Sequence, residues 1–139
     1  MEMNKIENNV DFDETADEID SALKDTRGLL VHQKRLAFCL SDGICNLLES
    51  YLNKKGVLKP GTKINHQWLK KKKENVLAIL SDKLIISFEK LNKLDRILDV
   101  AFRIEDKRNE FVYGAKTNDK NLRELIDIYL NVKKEIEND

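Results

Sequence analysis

From Phe12 to Ile136 the apolar residues of this chain recur at steps of three and four, and nowhere do they alternate with polar residues at a step of two. That period lines one face of an α-helix and gives a half-buried strand nothing to bury. Punctuation agrees, since 139 residues contain one proline and five glycines, few places for the chain to turn. Leu, Ile, Lys, Glu and Asp dominate the remainder, the composition of a helical bundle with a charged surface. The expectation is an all-α protein, an up-down bundle of four to five main helices. A chain of this length suits one domain with one core. Residues 1–12 read as a loose acidic N-terminus and residues 13–139 as a single helical-bundle domain.

The stripes locate the helices. Phe12, Ala16, Ile19, Leu23, Thr26 and Leu30 predict a first helix from about Asp13 to Val31, with acids crowding its first turns where the helix dipole favours them. A second, about Lys34 to Lys54, is apolar on nearly every face and so should be central. Gly43 inside it costs roughly 1 kcal/mol against alanine, which points to close approach of another helix, either within the chain or across a dimer interface. Gly56 is placed to stop it, and Gly56 to Lys63, holding Pro60, is the one clear loop. Asn65 is a fair N-cap for a third helix. Whether residues 65–91 form one bent helix or two stays open, with Ser81-Asp82 a candidate cap for a second piece. A motif-bearing helix from about Asn92 to Val112 and a closing one from about Lys120 to Glu137 complete the chain.

Charge bounds the function. Lys+Arg and Asp+Glu are both 25, so the formal net charge is zero, which argues against a protein that coats nucleic acid non-specifically. The charges are polarised, however. Nine acids fall between Met1 and Asp25 against Lys5 and Lys24, and eight lysines with no acid fall between Lys54 and Lys73. Such a layout serves self-association, a partner, a phosphate-rich ligand, or simply two solvated faces. No apolar run approaches the ~20 residues of a membrane span, and the acidic start does not fit a signal peptide. A cytoplasmic protein without membrane contact is expected. Cys39 and Cys45, six residues apart on a helix, are too distant for a disulfide and lack zinc-ligand spacing. No metal site and no cofactor is implied, and the constellations of nucleotide hydrolases and of serine or cysteine hydrolases are missing.

One segment is not bland. In Lys107-Arg108-Asn109-Glu110-Phe111-Val112-Tyr113-Gly114, the spacing sets Arg108 beside the stripe formed by Leu94, Ile97, Leu98, Ala101, Ile104 and Val112. This segment resembles the Arg-Asn-x-x-x-His motif of the HEPN family, small helical domains that include dimeric RNases and toxin–antitoxin toxins. Tyr113 stands where the histidine would be. The likeness extends over roughly residues 15 to 137 in general plan, including a helix that opens with a histidine, here His66, but only the segment around Arg108 is specific.

The resemblance implies a HEPN-like homodimer that binds RNA or a nucleotide through Arg108, Asn109 and Tyr113, with Lys70, Lys71, Lys72 and Lys73 adding diffuse attraction. It also implies a place in a toxin–antitoxin or defence system, with a nucleotidyltransferase-like partner. In active relatives the arginine contacts phosphate and the histidine moves the proton of the 2′-hydroxyl without a metal. Guanidinium suits the first task as a planar fork with permanent charge. Imidazole, with a reference pKa near ~6.5, suits the second. A phenol with reference pKa ~10 is a poor base at neutrality, so the catalytic pair Arg108 and Tyr113 is degenerate and weak or no RNase activity is expected. Three alternatives stay open. His32 or His66 could replace the lost histidine in a true endoribonuclease. The chain could be a non-enzymatic helical dimerisation or partner-binding module. Or Arg108 could simply pair with Glu105 near a helix C-terminus, Tyr113 being a packed aromatic.

Overall fold

The computed structural model describes residues 14–87, 90–114 and 116–138. The loose N-terminus expected over 1–12, and Phe12 and Phe88 with it, lie outside the described residues. Five α-helices carry the structure: α1 over 14–24, α2 Gln33–Lys54, α3 Lys73–Lys83, α4 Leu94–Tyr113 and α5 Asp119–Glu137. Two 3-10 turns, Leu29–His32 and His66–Lys70, precede α2 and α3. The described residues hold no named strand, only an isolated antiparallel bridge between Leu58 and Leu84. No helix among them is long and apolar enough to cross a membrane.

Contacts at the helix ends fix the directions. At the start of α2 the Gln33 amide donates to the Phe111 carbonyl near the end of α4 (2.9 Å), and at the other end the Lys93 N–H donates to the Tyr51 hydroxyl (3.3 Å). Hence α2 and α4 run antiparallel. Lys93 Nζ also reaches the Glu135 carbonyl (2.7 Å), so α5 returns antiparallel to α4. Glu18 of α1 meets His32, while Thr15 lies against Gly43, so α1 descends antiparallel to α2. The result is an up-down arrangement of α1, α2, α4 and α5, with α3 and its preceding turn inserted in the crossover from α2 to α4. The all-α bundle read from the period is the architecture found.

The core follows the stripes. Leu36, Leu40, Ile44, Leu48, Tyr51 and Leu52 of α2 meet Ile97, Leu98, Ala101 and Ile104 of α4 and Leu122, Ile126, Tyr129 and Val132 of α5, all buried. At ~25 cal/mol per Å2 of apolar surface, burial of these side chains is the dominant stabilising term. Gly43 is explained within the chain. A Cβ there would stand 2.7 Å from the Tyr129 hydroxyl and 3.0 Å from Thr15 Cγ2. The close neighbours are thus α5 and α1 of the same chain.

Three expectations are corrected. The first helix stops at residue 24 rather than Val31. Asp25 accepts the Arg27 N–H (2.9 Å) and Gly28 takes φ +96°, a left-handed conformation that favours glycine, so the chain turns before the 3-10 segment. Thr26 lies beyond the helix and is exposed, and Leu23, inside it, is exposed too, because the inner face runs through Thr15, Ile19 and Ala22. The described residues of 65–91 form neither one bent helix nor two α-helices. Asn65 caps a single 3-10 turn by accepting the Gln67 N–H (2.7 Å), Lys71 and Lys72 are extended, and α3 comes next. Ser81-Asp82 does not cap a new helix, because α3 runs through it to Lys83 and Leu84 then joins the bridge to Leu58.

Candidate functional site

The α2–α4 seam carries the polar residues that a helical core does not require. Phe38 sits on its outer edge, 42% exposed. The Arg108 guanidinium lies over that ring, 4.9 Å from the centroid, a cation–π contact. Arg108 Nε is buried and has no hydrogen-bond partner among the described residues. Glu105, the partner that the sequence spacing offers, turns elsewhere. Native proteins rarely leave a buried donor unsatisfied, and each such case carries a cost of about 1–3 kcal/mol. Arg108 is therefore held in place by apolar packing and an aromatic face while part of its hydrogen-bonding capacity is unused.

One turn back on α4, Glu105 is buried, 5% exposed. Its two carboxylate oxygens are engaged by different elements. The Ser41 hydroxyl of α2 donates to Oε2 (3.3 Å), and His66 Nδ1, on the 3-10 turn, lies 3.4 Å from Oε1. The turn is thereby fastened across the seam at the level of Glu105. His66 is half-buried and borders a depression shared with Asp42, Cys45, Asn46 and Asn65. Burial, then the charges of Asp42, Glu105 and Glu49, push the Cys45 thiol up to about 12. It is thus no nucleophile at neutrality.

The remaining sequence candidates are dispersed around this seam. Asn109 is exposed and opens, beside Lys70, on a cleft bounded by Leu69, Phe102 and Arg103. Arg108 turns instead toward α2, so the neighbouring pair faces two sides of α4. Tyr113, the last residue of that helix, is 80% exposed and lies at the surface rather than in the core. The four lysines do not share a helix. Lys70 ends the 3-10 turn, Lys71 and Lys72 are extended and exposed, and Lys73 starts α3 with its ammonium 3.6 Å from both Asp95 and Asp99. Phe111 is buried, and Trp68 is half-buried and packs against the core. His32 is buried beneath α1, with Nδ1 2.9 Å from Glu18 and Nε2 2.8 Å from Asp25, a structural link rather than a group facing a ligand.

Phe38, Ser41 and Glu105 do not stand out as a set in the sequence. A usable signal exists all the same: Ser41 and Glu105 are polar residues lying four beyond Ala37 and Ala101, on stripes otherwise apolar. No protein-family model, curated protein or solved structure matches the chain.

Proposed function

We propose that this chain is a HEPN-like helical protein that binds RNA, engaging a backbone phosphate with Arg108. The observation that supports the reading is the state of that side chain: a half-buried guanidinium, backed by Phe38, with a buried Nε that nothing among the described residues satisfies. The buried Nε is itself closed to solvent, so the contact falls to the terminal guanidinium nitrogens, for which a phosphate oxygen is the complementary acceptor, and a charge-assisted contact of this kind is about twice as strong as a neutral hydrogen bond. Exposed Phe38 adds an aromatic face on which a base can stack, worth about 1–3 kcal/mol. Lys70, Lys71 and Lys72, exposed on the irregular stretch before α3, add sequence-independent attraction. Tyr113 serves as a surface contact at the end of α4, and the resemblance further implies a homodimer and a nucleotidyltransferase-like partner.

Titration of a short labelled single-stranded RNA, followed by anisotropy at several salt concentrations, tests the reading. Arg108→Ala should weaken binding at least about tenfold and make the salt slope shallower by roughly one counterion. Unchanged affinity and slope would sink it.

A second reading, a partner-binding module without nucleic-acid contact, draws on Val31 and Phe38, seven residues apart and 47% and 42% exposed. Light scattering of the wild type and of Val31→Ser/Phe38→Ser separates the two. A wild-type dimer that the double variant loses, with no RNA bound by either protein, favours the module.

A further inference from the structure

We propose that the tip formed by Ile85 and Ile86, with the lysines around it, docks this chain on an anionic membrane surface without crossing the bilayer. The tip lies apart from Arg108 and does not depend on the RNA-binding reading.

Beyond α3 the chain bends at Ile85 and Ile86, which are 63% and 40% exposed. The other exposed large hydrophobics among the described residues stand singly in the sequence, which is ordinary for a protein surface. Here two are adjacent. The Leu58–Leu84 bridge fixes the ribbon that carries them, with both leucines buried. On one side of the bridge the Lys59 N–H donates to the Lys83 carbonyl (2.9 Å), and on the other the Ile85 N–H donates to the Val57 carbonyl (2.8 Å). Lys59 therefore stands opposite Lys83, a like-charge pair that is destabilising until something anionic covers it. The Lys59 ammonium donates to the Asp82 carbonyl (2.6 Å) rather than to a carboxylate, and Lys83 and Lys90 have no ion pair among the described residues.

The acids nearby do not neutralise this rim. Asp95 and Asp99, at the same end of the bundle, pair with Lys73, and Glu135 pairs with Arg96. Thr15 sits at the level of Gly43, eight residues or about 12 Å before Tyr51, so the exposed acids of α1 are carried away from the tip.

An anionic bilayer is the occupant that this chemistry fits. Protein interfaces draw on aromatic side chains, methionine and arginine and are depleted in lysine, whereas this tip is aliphatic and rimmed by lysine. Aliphatic side chains enter the acyl boundary while ammonium groups meet headgroup phosphates and carboxylates. The Ile85 and Lys59 N–H groups are already paired within the ribbon, so the tip enters the interface without orphaning them. The length of apolar runs bears only on a spanning segment, and a tip of two residues leaves no such signature in the sequence.

Sedimentation of the full chain with sucrose-loaded vesicles tests this, using phosphatidylcholine alone beside phosphatidylcholine with about 30% phosphatidylserine. At about 0.1 M salt wild type should pellet with the anionic vesicles and not with the neutral ones, and about 0.5 M salt should release it. Ile85→Asn/Ile86→Asn should lower the partition coefficient at least about tenfold, and Lys59→Gln/Lys83→Gln should lower it by a similar factor. Unchanged urea midpoints show that both variants are folded. Wild type that stays in the supernatant with anionic vesicles overturns the proposal and leaves an acidic protein surface as the occupant. Partition that survives the isoleucine variant overturns it as well, because attraction through lysines alone needs no apolar tip.

Discussion

Arg108 stacks on Phe38 while its Nε stays buried without a hydrogen-bond partner among the described residues, so the protein keeps a cation where its own structure does not complete the contacts. The orphaned donor costs about 1–3 kcal/mol, and the cation–π contact returns about 0.5–2 kcal/mol. The two nearly cancel. Arg108→Met, which keeps the aliphatic stem and drops the charge, should leave stability within about 1 kcal/mol of wild type or raise it, while abolishing the arginine's share of RNA affinity. Urea unfolding measures the first effect and anisotropy the second. A loss above about 2 kcal/mol would mean that Arg108 is a structural residue after all.

Gly43 and Tyr129 give a packing prediction. Alanine ordinarily gains about 1 kcal/mol over glycine inside a helix. Here the new methyl would meet the Tyr129 hydroxyl at 2.7 Å and its ring at 3.0 Å, and a rigid aromatic held in the core cannot swing aside. Overpacking of this kind costs about 1–3 kcal/mol, so Gly43→Ala should be destabilising. On a Tyr129→Phe background, which removes the nearest atom, the loss should shrink. Equal losses on both backgrounds in a double-mutant cycle would place the strain elsewhere.

These contacts also explain how far the sequence can be read. The boundaries of α2, α4 and α5 fall within two residues of their stripes, because an amphipathic face in a bundle this size is sufficient to define the helix. The end of α1 is not legible in the same way, because the apolar period continues through Leu30 while Asp25 and Gly28 turn the chain. The lysine run misleads for a different reason. Lysine is a good helix former, and nothing local announces that Lys71 and Lys72 extend so that His66 can reach Glu105. That pairing depends on the α2–α4 register, a tertiary quantity that no local spacing contains.

Gln33 tests the junction of three elements. Its amide nitrogen donates to the Phe111 carbonyl (2.9 Å), and its amide oxygen accepts the Thr117 N–H (3.0 Å), tying the start of α2 to the end of α4 and to the loop before α5. Gln33→Ala strands the buried Phe111 carbonyl and the part-buried Thr117 N–H, at about 1–3 kcal/mol. Hydrogen exchange localises the effect. The Thr117 amide should exchange faster in the variant while amides in the middle of α5 stay protected, and unchanged Thr117 exchange would show that the loop does not depend on this side chain.

Acid stability depends on the α1–α2 turn. Side-chain and backbone hydrogen bonds from Arg27, then His32, hold the Asp25 carboxyl well below its ordinary value of 3.8. A depressed carboxylate contributes stability that is complete above that ordinary value and is lost as the pH falls from there through the folded-state value. Asp25→Asn should therefore be less stable than wild type at neutral pH, with the gap closing at pH 3 and below. Thermal midpoints measured from pH 7 down to pH 2 check it, and a gap that widens on acidification would reverse the assigned sign.

The two cysteines should differ in reactivity although both are free. Burial first, then Asp42, Glu105 and Glu49, carries Cys45 from 9.0 to about 12, so at pH 8 only about one molecule in ten thousand holds its thiolate. Cys39 is also raised, by burial and then by Glu18, Asp42 and Glu14, but it is half-buried on the outer side of α2. Iodoacetamide at pH 8 should modify Cys39 slowly and Cys45 only when the bundle opens, so the Cys45 rate should rise with urea along the unfolding curve. Peptide mapping of the alkylated sites reads both rates, and a Cys45 rate that does not rise with urea would show that the thiol is reached without opening of the bundle.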